Sequence, residues 1–402
     1  MSSPYQAALV EELKKLVRIP SSSFPEGGEE GKVQAFVAGR MKEMGARVRT
    51  FEADDVPGVR SHPLFCGRDR QFANRPTVLG EIGPQNGAAL LVLAHSDTVQ
   101  LFEPEGWTVD PFACVLRDGE LIGLGVSDDK WGVASMLSIM RELLDRGEPL
   151  RKRVIFASTI DEENGVGNGV LLLWLAGVNA QSAFYLDGGN MDICIGNCGG
   201  SNLYLRPKAS IAPHLLERHG NALQDVALQM SAARAHLFDS HALYRINSRR
   251  TCSVGYVMRA DRNGPYHVLY FYTLLGEPRA KFCAELELAV ANALAEDLVL
   301  YNQNYREPWF EASCGDPAEP FTQMVCEAYR RVTATEPRIA TLSKQDAFVL
   351  RNHGRIPIVS FGVGRYSGKG AVHTPDEAVT LESVWVGRSV AFEAIHMWLN
   401  AN

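Results

Sequence analysis

The apolar run Val154-Ile155-Phe156-Ala157-Ser158-Thr159-Ile160 stops at three consecutive acids, Asp161-Glu162-Glu163. The run reads as a buried strand, and a buried strand that ends in three carboxylates is costly unless something positive lies beside it. A bound cation meets that demand, with one carboxylate holding it and a neighbour left to move protons. The pattern recurs along the chain. Leu91-Val92-Leu93-Ala94 ends in His95-Ser96-Asp97, and Ala183-Phe184-Tyr185-Leu186 ends in Asp187-Gly188-Gly189. A glycine-bearing turn, Gly123 to Lys130, carries Asp128-Asp129, and the strand Ile356 to Gly362 is followed by a loop with His373 and Glu377. In open α/β sheets, sites form beyond the carboxyl ends of the strands.

Order along the chain gives the architecture. Helical spacing over Tyr5–Val17 and Glu29–Met44, the latter stopped by Gly45, precedes an alternating strand at Arg47–Phe51. Residues 55–76, rich in Pro, Gly, Asp and Arg, read as loop. Strand and helix then alternate through the Leu91 strand, a Trp131–Leu144 helix, the Val154 strand, a helix through Leu171–Trp174 and the Phe184 strand. This order predicts an α/β fold with a mixed, mostly parallel sheet flanked by helices. From about Cys198 the order becomes β-α-β-β-α, which predicts a small inserted α+β domain. The expected division is a discontinuous catalytic metal-binding domain, 1–198 and 311–402, with a lid and dimerisation domain at 199–310. A helix from Val379 to Leu399 closes the chain.

Bulk properties narrow the function classes. A net charge of −7 and the lack of any basic run argue against nucleic acid or anionic membrane as partners. No apolar stretch is long enough to span a bilayer, and Met1–Leu16 reads as an amphipathic helix with four charged residues and not as a signal peptide. Eight scattered cysteines are too dilute for a disulfide scaffold, and the Cys194/Cys198 pair fits no redox or zinc spacing. The expected compartment is cytoplasmic.

His95, Asp128, Glu163, Asp187 and His373 form a set of two imidazoles and three carboxylates. Two divalent ions can each take one histidine and one terminal carboxylate, with a third carboxylate shared, and such a pair activates water and polarises a substrate oxygen. Asp97 is placed to hold the other N–H of His95, and Glu162 to act as general base. Taken singly, each fragment has an ordinary explanation. Asp128-Asp129 suits a cap for the Trp131 helix, Asp187-Gly188-Gly189 a turn, and adjacent acids a solvated face. His62, His236, His241, His353 and His396 read as surface or satisfied core histidines.

The order His95-x-Asp97, Gly-x-Gly-x-x-Asp128-Asp129-Lys130, Glu162-Glu163, Asp187 and Ala-x-His373-x-x-x-Glu377 resembles the aminoacylase, carboxypeptidase G, succinyl-diaminopimelate desuccinylase and carnosinase family of dinuclear metallohydrolases. The resemblance implies a bridging Asp128, one ion completed by His95 and Asp187, and the other by Glu163 and His373. It also implies a cis peptide at Asp128–Asp129, Glu162 as the base, and hydrolysis of a C–N bond by metal-bound hydroxide. Zinc is the family default, and an oxygen-rich site also accepts manganese or cobalt. A homodimer built through the lid is the implied assembly.

The inserted domain departs from that pattern. Lys208-Ala209-Ser210-Ile211-Ala212-Pro213-His214 has isoleucine near the place of the family's lid histidine, which leaves His214 or His219 as substitutes. The stretch around Arg262 does not match the family's arginine strand, and Tyr266, Tyr270, Phe271 and Tyr272 stand where polar residues are expected. Lys344-Gln345-Asp346-Ala347 keeps the aspartate but not the small residues before it. Substrate contacts are expected from His214, His219, Arg262, Asp346 and Arg365. The default substrate is an N-acyl amino acid or small peptide. The alternatives are hydrolytic deamination of an aromatic amine, as in nitroanthranilate aminohydrolase, and a non-catalytic relative that keeps the fold to bind.

Overall fold

The computed structural model of the chain describes residues 4–67, 70–101, 103–246, 252–261 and 263–401. These form two compact units, one made of Met1–Gly196, Gly315–Ile339 and Val349–Asn402, the other of Asn197–Cys314 and Ala340–Phe348.

In the first unit, seven strands lie in the order Ile193–Asn197, Ile358–Ser360, Ser182–Tyr185, Ala89–His95, Arg153–Thr159, Thr77–Ile82 and Arg47–Phe51. The four from Ile358–Ser360 to Arg153–Thr159 run parallel, and the outer three are antiparallel to their neighbours. The fold is thus the expected α/β sheet, parallel at its centre and mixed at its margins. Parallel strands are covered on both faces, which is why the central Ala89–His95 strand is apolar along nearly its whole length and buried at every position. The edge strand Arg47–Phe51 alternates instead and buries only Phe51. The helix Lys130–Asp145 packs on the central strand and is buried at thirteen of its positions, including Trp131. The Pro4–Val17 helix lies against it. From the Leu381–Asn400 helix the buried Arg388 side chain reaches the Lys130–Asp145 helix, with a 2.5 Å ion pair to Glu142 and a bond donated to Ser138 O at 3.1 Å.

A small three-stranded sheet, Ala378–Thr380, Glu120–Ile122 and Val115–Arg117, stands apart from the main one. Its register pairs Val379 with Leu121. Residues more than 250 positions apart in sequence are thereby fixed side by side, and the loops leaving this sheet carry Asp128 and His373.

The second unit is a four-stranded antiparallel sheet in the order Val254–Asp261, Gly264–Thr273, Gly199–Pro207, Tyr301–Tyr305. Two helices, Pro213–Ser240 and Arg279–Leu294, bury a core with it that includes Leu203, Leu205, Leu223, Phe271, Phe282 and Leu286. The helix beginning at Pro213 runs without a break to Ser240. Sequence alternation in Gly199–Pro207 follows the pleat: Ser201, Leu203 and Leu205 are buried, while Asn202, Tyr204 and Arg206 are half-buried on the other face. The aromatic group divides the same way. Phe271 meets Phe282 at 4.7 Å in the core, whereas Tyr266 lies under the Arg206 guanidinium at 3.8 Å. The segment Ala340–Phe348, which the sequence places in the 311–402 part, belongs to this unit. Cys198 N donates to Ser343 O at 2.7 Å, and the Phe310 and Phe348 rings meet at 6.0 Å.

The central strand contributes buried apolar side chains to the core of the first unit. Leu91 is fully buried in it. Leu91→Ala is expected to lower unfolding stability by about 2–5 kcal/mol through lost transfer energy and a residual cavity, read as a shift of the urea midpoint.

Candidate metal centre

The four parallel strands of the first unit bring their carboxyl ends to one edge. His95 closes the Ala89–His95 strand, and Ser96 N still donates to Thr159 O at 3.0 Å, so the loop leaves the sheet along a fixed line. His95 Nδ1 lies 3.0 Å from Asp97 O and 3.5 Å from Asp97 Oδ1. With Nδ1 so engaged, Nε2 is the nitrogen turned to the cluster. The other Asp97 oxygen accepts from Glu163 N at 3.0 Å. Asp97 lies just past the strand end and reaches His95 Nδ1 from the loop.

Asp128 sits on the Gly123–Asp129 loop, and the Asp128–Asp129 peptide is cis. Asp129 caps the following helix by accepting from Gly132 N at 3.2 Å, and its second oxygen accepts from His95 N at 3.1 Å. The capping role read from sequence therefore falls on Asp129 and leaves Asp128 for the cluster. Position 132 needs glycine, since a Cβ there would come within 2.3 Å of Leu186 O. The loop is gathered by Glu377, which accepts from Gly125 N at 3.0 Å, Ser127 N at 2.9 Å, Ser127 Oγ at 2.8 Å and Asp128 N at 3.2 Å. Burial pushes the Glu377 carboxyl up to about 7 and the Asp128 charge adds to that, while the donors from Ser127 and Gly125 pull the other way. The sequence motif contains Glu377 without assigning it a role. Its only signal was its place four residues after His373.

The tripeptide itself is not a strand end. The strand stops at Thr159, Asp161 takes a left-handed backbone with φ of 64°, and Glu162 and Glu163 open a one-turn helix, Glu162–Gly165. Asp161 is fully buried and turned away from the cluster, between Arg70 and Arg75. The cation that this acid requires is thus supplied by two arginines from the 55–76 loop, which sequence patterning read only as loop. Glu162 is half-buried beside Glu163.

Five side chains from five segments converge. His95, Asp128 and Asp187 offer ligand atoms within 4.8 Å of one another, and so do Asp128, Glu163 and His373. Asp128 belongs to both groups: its Oδ1 lies 3.0 Å from His95 Nε2 and its Oδ2 lies 3.1 Å from His373 Nε2. His373 Nε2 is also 3.1 Å from Glu163 Oε1. Burial opposes the charged form of Asp128, but hydrogen bonds with His373 and His95 hold its carboxyl well below the usual range. Burial opposes a charged His95 as well, yet Asp128 and Asp97 hold that imidazole well above its ordinary value. The carboxylates thus favour positive charge at both imidazoles. Divalent cations supply the same charge and take the same nitrogens and oxygens, with release of the protons. The donor set fits two such cations sharing one carboxylate.

The residues expected to touch substrate are spread otherwise. His214 is exposed at the second position of the Pro213–Ser240 helix. His219 is buried in the second unit, and both its nitrogens are engaged, Nδ1 with Tyr301 Oη at 2.8 Å and Nε2 with Asp297 Oδ2 at 3.0 Å. The chain continues from Tyr301 Oη to His267 Nε2 at 3.1 Å and from His267 Nδ1 to Tyr256 Oη at 2.8 Å, an internal network that accounts for His219 without substrate. Asp346 is buried in the second unit. Arg365 pairs with Glu120 and donates to Lys369 O at 3.3 Å, so its guanidinium braces the small three-stranded sheet. Arg262 lies outside the described residues.

The chain is similar to known proteins along much of its length. The chain is 33% identical over 164 residues to a succinyl-diaminopimelate desuccinylase of Methylobacterium sp. (strain 4-46), a match that takes in 40% of this chain and spans 36% of that relative's length. A second succinyl-diaminopimelate desuccinylase, from Methylobacterium radiotolerans, is 29% identical over 349 residues, with 79% of this chain and 82% of the relative covered. Among solved structures, the di-peptidase Dug1p of Saccharomyces cerevisiae superposes with a TM-score of 0.74 at 12% identity, covering 98% of this chain and 96% of that one, a likeness of fold. The model of peptidase family M20/M25/M40 matches residues 91–397, well over half of the sequence and all five converging side chains. The chain belongs to peptidase family M20/M25/M40.

Proposed function

We propose that this chain is a metal-dependent hydrolase that uses two divalent cations to cut the C–N bond of an N-acyl amino acid or small peptide. The observation that carries the reading is the division of Asp128 between two imidazoles, Oδ1 toward His95 and Oδ2 toward His373. One carboxylate facing two three-ligand groups would let Asp128 contribute to both cations. His95 and Asp187 then serve one cation, Glu163 and His373 the other. Bound there, the pair supplies Lewis acidity and lowers the pKa of water. Zinc suits imidazole with carboxylate, and manganese or cobalt also fit an oxygen-rich set.

The protein's own groups do the rest. Glu162, next to the ligand Glu163 and half-buried, takes a proton from the attacking water and returns it to the departing nitrogen. Asp97 keeps the His95 ring oriented through Nδ1, and Asp129 holds the same strand end through His95 N. Glu377 fixes the backbone that presents Asp128. The first unit is in this reading the catalytic domain, and the second a lid and dimerisation domain. A homodimer acting on a small-molecule substrate in the cytoplasm completes the reading. Among the described residues, no helix is long and apolar enough to cross a membrane.

Glu162→Gln is expected to lower turnover by about 10²–10⁴-fold, the usual contribution of a placed general base, while cation content measured by atomic absorption stays near two per chain. Turnover equal to wild type would refute the base. His373→Ala is expected to lose one of two cations in the same measurement; two tightly held ions in that variant would remove His373 from the ligand set. A panel of N-acyl amino acids, dipeptides and aromatic amines on zinc-, manganese- and cobalt-loaded protein, with free amino acid and ammonia assayed separately, tests the substrate class. Free amino acid is the expected product, and ammonia from an arylamine overturns the reading.

A further inference from the structure

Asp161 has an arrangement that a strand-end acid does not need. Its carboxylate is fully buried. Oδ1 accepts from Arg70 Nη2, from Arg75 Nη2 at 2.8 Å and from Ser23 Oγ at 3.2 Å, and Oδ2 accepts from Asn168 Nδ2 at 2.7 Å. Each arginine is itself anchored. Arg75 grips Glu30 with two bonds of 2.6 Å, and Arg70 donates to Pro25 O at 2.7 Å and Gly27 O at 3.2 Å. Gly165 completes the fit, since a Cβ there would stand 2.1 Å from Asp161 Oδ2. The backbone of Asp161 lies in the left-handed region, at φ of 64°, a conformation that persists only where surroundings over-determine it.

What this clamp holds is the turn that follows. Gly165 N donates to Asp161 O at 3.0 Å, Asn164 Nδ2 donates to Ser23 O at 2.8 Å, and Cys66 N donates to Asn168 Oδ1 at 2.9 Å. On the opposite side Asp97 takes the amide of Glu163. Neither Arg70 nor Arg75 belongs to either ligand group. Their charge and their planar forks are spent on the residue immediately before Glu162 and Glu163. The one-turn helix Glu162–Gly165 is too short to hold itself, because a single turn fixes several residues for few hydrogen bonds.

We propose that Arg70 and Arg75 are positioning residues, which act through Asp161 to fix where Glu162 and Glu163 point. The proposal rests on the reading of Glu163 as a ligand and Glu162 as the base. The forks matter as well as the charge, since a lysine can match one oxygen of Glu30 or Asp161 but not the planar set. The clamp reaches the cluster from residues 23–30 and 70–75, segments that contain none of its ligands.

The test uses the full chain as Arg75→Lys, Asp161→Asn and, as the mildest change, Ser23→Ala. Backbone hydrogen exchange is followed peptide by peptide, and zinc release to a chelator is timed. Arg75→Lys and Asp161→Asn are expected to speed exchange over residues 161–168 while the rest of the first unit keeps its wild-type rates. Zinc release is expected to quicken by about 10–100-fold, the usual effect of removing a group that orients a ligand. Ser23→Ala is expected to shift both in the same direction by less, and it decides the matter if the other two do not fold. Wild-type exchange over 161–168 together with wild-type zinc release overturns the proposal. Faster exchange spread evenly over the first unit, with zinc release unchanged, also overturns it, because that is the signature of a purely structural ion cluster. Glu163→Gln is the control: if it holds both zinc ions as tightly as wild type, the ligand reading fails, and the exchange data still judge the clamp.

Discussion

Too many carboxylates meet at one edge of the sheet, and the surrounding structure is arranged around their mutual repulsion. Asp97, Asp128, Asp129, Asp161, Glu163, Asp187 and Glu377 all come from that edge or the loops beside it. Ionised acids cannot be gathered in a low-dielectric interior unless each finds donors or opposite charge. Four of them are settled by the protein alone. Asp161 has two guanidiniums, Glu377 has three backbone amides and a hydroxyl, Asp129 has two amides, and Asp97 has His95 and the amide of Glu163. Asp128, Glu163 and Asp187 converge with two imidazoles, a donor set that divalent cations fit.

The settled acids are also what make the remaining ones exact in position. Asp129 ties the His95 strand end to the start of the Lys130–Asp145 helix, and Glu377 ties the Asp128 loop to the segment that carries His373. Asp161 ties the Glu162–Gly165 turn to the 70–75 loop. Each is a buried acid adjacent or close in sequence to a cluster residue, with its own side chain bonded elsewhere. Such outer contacts orient ligands as surely as direct coordination does. The left-handed backbone at Asp161, and that at His373 with φ of 61°, lie at these joints, where the surroundings fix the conformation.

Much of the fold was legible in sequence because strand and helix alternate with strong apolar contrast. The central strand, the Lys130–Asp145 helix and the switch to a second unit near residue 198 all follow from patterning. Five converging side chains could also be named, since each follows an apolar strand or a glycine turn. The misses share one cause. Arg70, Arg75, Glu377 and the return of Ala340–Phe348 to the second unit depend on contacts between residues far apart in sequence, and local periodicity carries no trace of a partner. The bonds of His219 to Tyr301 and Asp297 likewise join residues far apart in sequence.

The tripeptide Asp161-Glu162-Glu163 shows where the division falls. Sequence alone determined that three acids follow a buried strand and that positive charge must answer them, because that follows from composition and the cost of burying charge. It did not determine which positive charge answers which acid. Only the tertiary structure turned Asp161 inward to two arginines and set Glu163 against His373, since a left-handed residue reverses the direction of the chain and a loop more than eighty positions away supplies the guanidiniums. The chemistry was written in residue types, and its assignment to particular side chains was decided by three-dimensional proximity.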